Sequence, residues 1–142
     1  MPRFVLLYHE CPPGYERPSH WDFMLEAGDA LRTWALAELP AAWKAAQLQT
    51  QSSHPNCPAL SARDSVEAQQ LGKHRHAYLN FEGPLSGDRG AVTRIDAGVF
   101  TIAGAAPTEL QIELQGSRLQ GIILLGQSQA DSSVWTLTCE AA

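Results

Sequence analysis

The chain has 142 residues, of which 44% are hydrophobic and 18% are charged, and its 15 acidic and 10 basic side chains give a formal charge of −5. This length is typical of a single domain with its own core, so we expect one domain over residues 1–142. The acidic balance argues against a broad duplex-DNA surface, and no apolar run approaches the roughly 18 residues that a membrane-spanning helix needs.

The number and spacing of the cysteines indicate in which cellular compartment the protein works. The three cysteines are scattered and form no Cys-x-x-Cys pair, which argues against a disulfide framework and against a ribbon-type zinc site. We therefore expect a reducing, cytoplasmic location. We also expect a monomer with no membrane partner.

Apart from an apolar run at residues 4–8, the first third of the chain mostly alternates apolar and polar residues with a period of two, as strands with one buried face do. Strands are predicted at residues 4–8, 20–26 and 31–37. Gly28 and Asp29 are turn-forming residues, so the second and third of these strands should form a hairpin. His20 and Asp22 should then share the strand face opposite to Phe23.

The middle and the C-terminal half change in character. A helix is predicted at residues 40–48 and a loop at 49–58, and Ser61 with Asp64 resembles a capping box of a short helix that Gly72 could close. Short strands separated by Gly, Pro, Asp or Ser are predicted at residues 78–81, 91–95, 99–103, 109–114, 119–125 and 134–139. Their spacing favours an antiparallel barrel or sandwich.

The pair His20-x-Asp22 is the most informative feature for function. Residues two apart on a strand project from one face, and imidazole and carboxylate are both common ligands of zinc- or manganese-type metals. His9, at the end of the first predicted strand, would complete a 2-His-1-carboxylate set with open positions for water or substrate. The alternative is an ordinary solvated strand face. Cys11 could reach the same metal, or could be a simple loop thiol.

A second cluster surrounds His74. If strand geometry begins there, His74, His76 and Tyr78 share one face, and a histidine beside a phenol can donate protons or hydrogen bonds to a phosphate. The alternative is an exposed lead-in with Tyr78 packed on the barrel wall. His54 and Cys57 form a His-x-x-Cys pair, which we interpret as loop residues because no second pair stands at ligand spacing.

Several segments together resemble one family. They are residues 4–9, 20–26, 31–35, 74–83, 116–121 and 135–137. In this order they look like the 3'-phosphoesterase domain of bacterial DNA ligase D, and the chain resembles a divergent, free-standing member. Residues 20–26 and 74–83 are the most specific parts of the resemblance.

The resemblance implies a mainly β fold, a compact antiparallel β-barrel with one or two short flanking helices. It implies a manganese-dependent enzyme, with zinc or another divalent metal as the alternative. Such an enzyme trims 3'-terminal ribonucleotides and removes 3'-phosphates at DNA ends, with DNA-repair proteins as potential partners. His9, His20 and Asp22 would be its metal ligands, and His74 and Tyr78 the catalytic residues at the scissile phosphate.

The chain departs from the family pattern at three positions. Met24 stands where the family has an arginine two residues after the metal-binding aspartate, Glu38 replaces a lysine, and Gly72 replaces an acidic residue two before the site histidine. Methionine cannot neutralise phosphate charge.

Two functions therefore stay open. One is a divergent metal-dependent phosphoesterase acting on a DNA or RNA 3' end or on a related small phosphate ester. The other is a non-catalytic module of the same fold that binds a metal or a nucleic-acid end. A facial-triad oxygenase is a third interpretation, but its distant histidine usually follows the His-x-Asp pair, whereas His9 precedes it.

Three arginines are candidates for phosphate binding in place of the missing one. Arg17 lies between the two histidines, and Arg89 and Arg94 lie in or after a glycine-flanked segment. Each could equally be an ordinary solvated arginine. Residues 72–100 carry four basic and three acidic side chains. This net-positive stretch favours a small end-binding site over a long duplex footprint.

Overall fold

The computed structural model describes residues 1–15, 17–48, 63–85 and 89–140. Its elements in chain order are β1 (Arg3–Glu10), β2 (His20–Ala27), β3 (Ala30–Leu36), α1 (Ala41–Leu48), β4 (Arg63–Arg75), a short 3-10 helix (His76–Leu79), β5 (Gly83–Pro84), β6 (Ala91–Ala106), β7 (Glu109–Gly116), β8 (Gln120–Gln127) and β9 (Val134–Glu140). Within the described part of the chain, no helix has the length and apolar character needed to cross a membrane.

The strands form one antiparallel sheet that closes on itself. Their order is β1-β2-β3-β4-β9-β8-β7-β6-β5, and β1 also pairs with β6. This last pairing joins eight strands in a ring and leaves β5 as a two-residue addition beside β6. The predicted mainly β, barrel-like architecture is confirmed.

The ring encloses the larger apolar core. Trp34, one of its three tryptophans, is fully buried, and its ring centroid lies 5.6 Å from that of Trp135. Helix α1 adds Trp43, which is 3% exposed and packs on Phe23 at 5.3 Å. Burial of each such side chain contributes about 1.5–3 kcal/mol, so this core supplies the main stabilisation of the fold.

A second, smaller apolar cluster covers the outside of the ring where β1 and β2 lie. Because strand residues alternate, Val5 and Leu7 face away from the core that receives Phe4 and Leu6. The outer cluster consists of Val5, Leu7, Met24, Leu31, Leu79 and Val92. Both faces of β1 are therefore buried, which explains its unbroken apolar run.

Three predictions for the middle of the chain are wrong. Residues 63–75 form β4 instead of a helix closing at Gly72, because Val66 and Ala68 alternate into the core while the backbone pairs with β3 and β9. Residues 78–81 are not a strand, since the 3-10 helix occupies His76–Leu79.

The third correction concerns β6. The two strands predicted at 91–95 and 99–103 are one strand with a bulge, where Leu6 pairs with Asp96 and the adjacent Leu7 pairs with Arg94. The predicted hairpin around Gly28, with φ of 66°, and the helix at α1 are confirmed. The predicted loop at 49–58, with His54 and Cys57, lies outside the described residues.

Candidate active site

Antiparallel pairing brings the two predicted histidine ligands side by side. His9 near the end of β1 is the register partner of His20 at the start of β2, although they are eleven residues apart in sequence. Their ring centroids lie 5.0 Å apart. Asp22, two residues further along β2, projects from the same outer face of the sheet as His20. The structure thus places all three predicted metal ligands in one cluster.

The Asp22 carboxylate lies against both imidazoles. Its Oδ1 is 3.1 Å from Nε2 of His20, and its Oδ2 is 3.8 Å from Nδ1 of His9. His9 is 9% exposed, His20 5% and Asp22 3%. This strand face is therefore not the solvated polar face that was the alternative interpretation. Burying three such groups together is costly unless they are paired or bind a cation.

The remaining nitrogen of each imidazole is held by the backbone. Nε2 of His9 donates to the carbonyl oxygen of Arg89 at 2.7 Å, and Nδ1 of His20 donates to that of Pro18 at 2.8 Å. These bonds fix both ring orientations and leave Nδ1 of His9 and Nε2 of His20 facing the carboxylate. Metal-binding histidines are typically oriented through a hydrogen bond of this kind.

Asp22 supplies a further sign that a cation fits here. Oδ1 is buried and has no well-directed hydrogen bond in the described part of the chain, despite its closeness to His20. An acceptor in this position costs about 1–3 kcal/mol unless something satisfies it. The two nitrogens and the carboxylate match the donor chemistry of a 2-His-1-carboxylate metal site.

Cys11 extends the cluster. Among the described residues, the group whose ligand atoms all lie within 4.8 Å of one another is His9, Cys11 and His20, so the trio with Cys11 is more compact than the predicted one with Asp22. Sγ of Cys11 lies 3.9 Å from Nδ1 of His20, a nitrogen already bonded to Pro18. Burial and the Asp22 carboxylate raise the pKa of the Cys11 thiol, which favours the protonated form that binds metals poorly.

Two opposing effects act on His20. Burial lowers its pKa, but the adjacent Asp22 carboxylate and the Pro18 carbonyl together raise it above the ordinary value of 6.5. The negative charge of Asp22 thus stabilises positive charge at Nε2 of His20. The same position would stabilise a metal cation.

The second predicted cluster lies at the same place. A cavity of about 110 Å³ opens beside the three predicted ligands, and both clusters contribute to its wall. Its lining residues are His9, Tyr15, Arg17, His20, Asp22, Met24, Leu71, His74, Tyr78, Leu85, Arg89 and Val92. Two of the three predicted phosphate-binding arginines are among them. Arg94 lies elsewhere and pairs with Glu82 at 3.6 Å.

His74 and Tyr78 meet by a different route from the predicted one. The chain leaves β4 at Arg75 and enters the 3-10 helix, which brings the two rings to a centroid distance of 5.7 Å. The same change of conformation places His76 away from these two rings, at the surface, where it hydrogen-bonds with Glu26. The expectation that His74, His76 and Tyr78 share one strand face is therefore wrong for His76.

Backbone atoms also orient His74. Its Nδ1 donates to the carbonyl oxygen of Gly72 at 2.9 Å, which leaves Nε2 as the nitrogen free for other interactions. Gly72, which stands where the family resemblance predicts an acidic residue, thus contacts His74 through its main-chain carbonyl.

The other two departures from the family pattern, Met24 and Glu38, differ in where they lie relative to the cavity. Met24 lines the cavity and is 1% exposed within the outer apolar cluster, so the missing arginine leaves an apolar wall there. Glu38 is exposed beyond the end of β3 and does not belong to the cavity wall. Of the two changes of charge, only that at Met24 alters the cavity itself.

Sequence reasoning missed several lining residues. Tyr15 packs edge-on against His9 with ring centroids 6.1 Å apart. Its place in a proline- and glycine-rich loop between the two histidines was the available signal. Leu71, Leu85 and Val92 are ordinary apolar residues, and nothing in the local sequence distinguishes them from core residues.

Comparison with known proteins identifies the family of the chain. The model of the family described as the DNA ligase D 3'-phosphoesterase domain matches residues 14–127. The match contains His20, Asp22, His74 and Tyr78 and begins after β1, which carries His9. A comparison with curated proteins finds no match. Because the family model matches well over half of the length of this chain, the chain belongs to the DNA ligase D 3'-phosphoesterase domain family.

Proposed function

We propose that the protein is a metal-dependent phosphoesterase that acts on 3'-phosphate or 3'-ribonucleotide ends of DNA, or on a related RNA end or small phosphate ester. One observation supports this most strongly. The 110 Å³ cavity combines the buried His9, His20 and Asp22 cluster with His74, Tyr78 and two arginines. Together they offer metal ligands, proton donors and positive charge around a space of phosphate size.

His9, His20 and Asp22 would hold the metal, through the nitrogens and oxygens that now face one another. We favour Asp22 over Cys11 as the third ligand because the carboxylate lies beside the free nitrogens of both histidines. The metal would be Mn²⁺, with Zn²⁺ or another divalent ion as the alternative. When bound, it would polarise a phosphate oxygen and lower the pKa of a water.

Side chains around the cavity would bind and orient the phosphate. Arg17 and Arg89 are both exposed at its rim, where their guanidinium groups can neutralise phosphate oxygens. With Nδ1 of His74 bound to Gly72, Nε2 is the atom that can donate to a phosphate oxygen or protonate the leaving group. Tyr78 packs on His74 and can orient it or the phosphate through its hydroxyl.

An activity assay tests the proposal. A primer–template with a 3'-phosphate or a 3'-terminal ribonucleotide, incubated with Mn²⁺, should be trimmed by the wild-type protein. Asp22→Ala should reduce turnover by at least about 100-fold, since it removes a ligand and leaves two histidines unpaired. Asp29→Ala, at the exposed β2–β3 turn, is the matched control and should keep full activity. Wild-type turnover no greater than that of Asp22→Ala would contradict the proposal.

A second function is supported by Met24. This buried thioether occupies a wall position where the family carries an arginine, so the cavity has lost one cation next to the phosphate space. The chain would then be a metal-binding or end-binding accessory module in DNA repair. Calorimetry with Mn²⁺ or Zn²⁺ would show binding without hydrolysis in that case, whereas robust wild-type turnover would exclude it.

A further inference from the structure

A second cavity opens directly beside the candidate active site. Its volume is about 320 Å³, and it is lined by Arg75, Ala77, Tyr78, Phe81, Pro84, Leu85 and Arg89. Tyr78, Leu85 and Arg89 also line the 110 Å³ cavity, so the two spaces share one wall. Ligand cavities for drug-sized molecules have volumes of about 300–1,000 Å³. The smaller cavity is therefore too small for a nucleoside, and the larger one is of suitable size.

Phe81 gives this second cavity its character. It is 37% exposed, although large apolar side chains are mostly buried in this protein, and its ring stands edge-on to Tyr78 at a centroid distance of 6.0 Å. Pro84 and Leu85 add further apolar surface. An exposed, braced aromatic ring on an apolar surface is the arrangement on which a nucleobase stacks in single-strand-binding proteins.

The charge of the lining agrees with a polyanionic ligand. Among the described residues of this cavity, two are arginines and none is a carboxylate. A different cavity, of about 360 Å³, also adjoins the active site, through Arg17 and His20, but it carries Glu67 and Asp131. Hydrogen bonds from Ser133 lower the pKa of Asp131, which keeps it ionised. Phosphates are repelled on that side and attracted on the side of Phe81.

We propose that the Phe81 cavity binds the nucleoside that carries the reacting 3'-phosphate, with its base stacked on Phe81 and the next phosphate of the strand at Arg75. This inference rests on the proposed function, because it places the reacting phosphate in the neighbouring 110 Å³ cavity.

Kinetics on two substrates test the cavity. One substrate is a tetradeoxynucleotide with a 3'-phosphate, and the other is methyl phosphate, which has no base. Stacking of one base implies that Phe81→Ala raises KM for the tetranucleotide by about five- to a hundredfold. It should leave KM for methyl phosphate unchanged, and because Phe81 packs on Tyr78, any change in kcat should be equal for the two substrates. Phe81→Trp should restore tight binding, whereas Phe81→Leu, which keeps apolar bulk without a ring, should not.

Matched controls come from exposed residues that line neither of the two cavities. Ile102→Ala removes another exposed apolar side chain, in β6, and Arg118→Ala removes an exposed arginine at the β7–β8 turn. Neither should change KM. Arg75→Ala should raise KM for the tetranucleotide and lower its dependence on salt, with no effect on a nucleoside 3'-monophosphate.

Binding separates this inference from the proposed function. Fluorescence anisotropy of a 5'-labelled tetranucleotide 3'-phosphate, measured with Mn²⁺ and the Asp22→Ala protein, reports the cavity without turnover. Phe81-dependent binding without any wild-type turnover would refute the phosphoesterase function and keep the nucleoside cavity. Turnover with KM and anisotropy unaffected by Phe81→Ala would keep the function and refute the cavity. Absence of both turnover and Phe81-dependent binding would overturn both.

Discussion

Asp96 provides the sharpest test of how the fold is held together. It is 5% exposed on β6, next to the bulge opposite β1, and its carboxylate accepts three backbone hydrogen bonds from the β7–β8 turn. Oδ1 accepts from Ser117 at 3.2 Å, and Oδ2 accepts from Arg118 at 2.9 Å and from Leu119 at 2.7 Å. The Asp96 side chain thus fixes the turn that joins β7 and β8 to a third strand of the ring, β6.

The cost of Asp96→Ala follows from where these donors lie. Leu119 is 3% exposed, so its N–H is left buried without a partner, at about 1–3 kcal/mol. Ser117 and Arg118 are exposed, and water can replace the carboxylate at a net loss of about 0.5–1.5 kcal/mol each. We expect a total loss of about 2–6 kcal/mol, centred near 4 kcal/mol. Asp96→Asn should cost about half as much, since its one carbonyl can replace Oδ2 while its amide faces the Ser117 donor.

Urea denaturation followed by tryptophan fluorescence measures these changes. A loss of 3 kcal/mol corresponds to a fall in Tm of roughly 6–12 °C for a domain of this size. The exposed Asp29→Ala serves as the control, with a change within about 0.5 kcal/mol. A loss below 1 kcal/mol for Asp96→Ala, or an equal loss for the Asn and Ala variants, would refute the reasoning.

Three further predictions concern the site and its surroundings. Met24→Arg should lower Tm, because it places a charge in an apolar cluster. It should also raise kcat on a 3'-phosphate substrate at least about tenfold, because it adds a cation to the cavity wall. An unchanged kcat in the folded variant would show that the missing cation does not limit activity. The hydrogen bond with His76 is the main cause that lowers the pKa of Glu26 below its usual 4.5, so the pair stabilises the protein above that pH and less as pH falls through the depressed pKa. Glu26→Gln should therefore be slightly less stable at pH 7, and the difference from wild type should narrow as pH falls below 4.5, as thermal melts over a range of pH would report. A difference independent of pH would contradict this. Gly90→Ala should lower the free energy of unfolding by at least about 2 kcal/mol, as measured by urea denaturation. The reason is that φ is 88° and the new Cβ would lie 1.8 Å from the carbonyl oxygen of Glu10. A substitution without effect on stability would contradict that contact.

The β pattern was readable where apolar and polar residues alternate or where turn residues separate short apolar runs. Alternation in β2, the turn at Gly28 and the strands that became β7 and β8 were predicted from the sequence and are present in the fold. The capping-box signal at residues 61–64 misled, because pairing with β3 and β9 on both sides outweighs a local helix preference in β4. Local propensity is weaker than the hydrogen bonds and burial that a central strand gains.

Candidate residues for the site were also readable, but their arrangement was not. The His-x-Asp spacing and the family resemblance selected His9, His20 and Asp22, and the structure brings them together. Whether Arg17, Arg89 or Arg94 faces the cavity depends on loop paths, for which single arginines carry no sequence signal. Only the first two lie there.

By itself, the sequence determined the strand periodicity, the family and the chemical types of the clustered residues, because these depend on spacing of two along a strand and on local motifs. Only the tertiary structure decided that the polar face of β2 is buried, since the 3-10 helix at His76–Leu79 and the outer apolar cluster cover it from a distant part of the chain. It also decided that Phe81 stands beside the cavity and His76 does not. Such placements depend on where separate segments cross, and no local pattern records them.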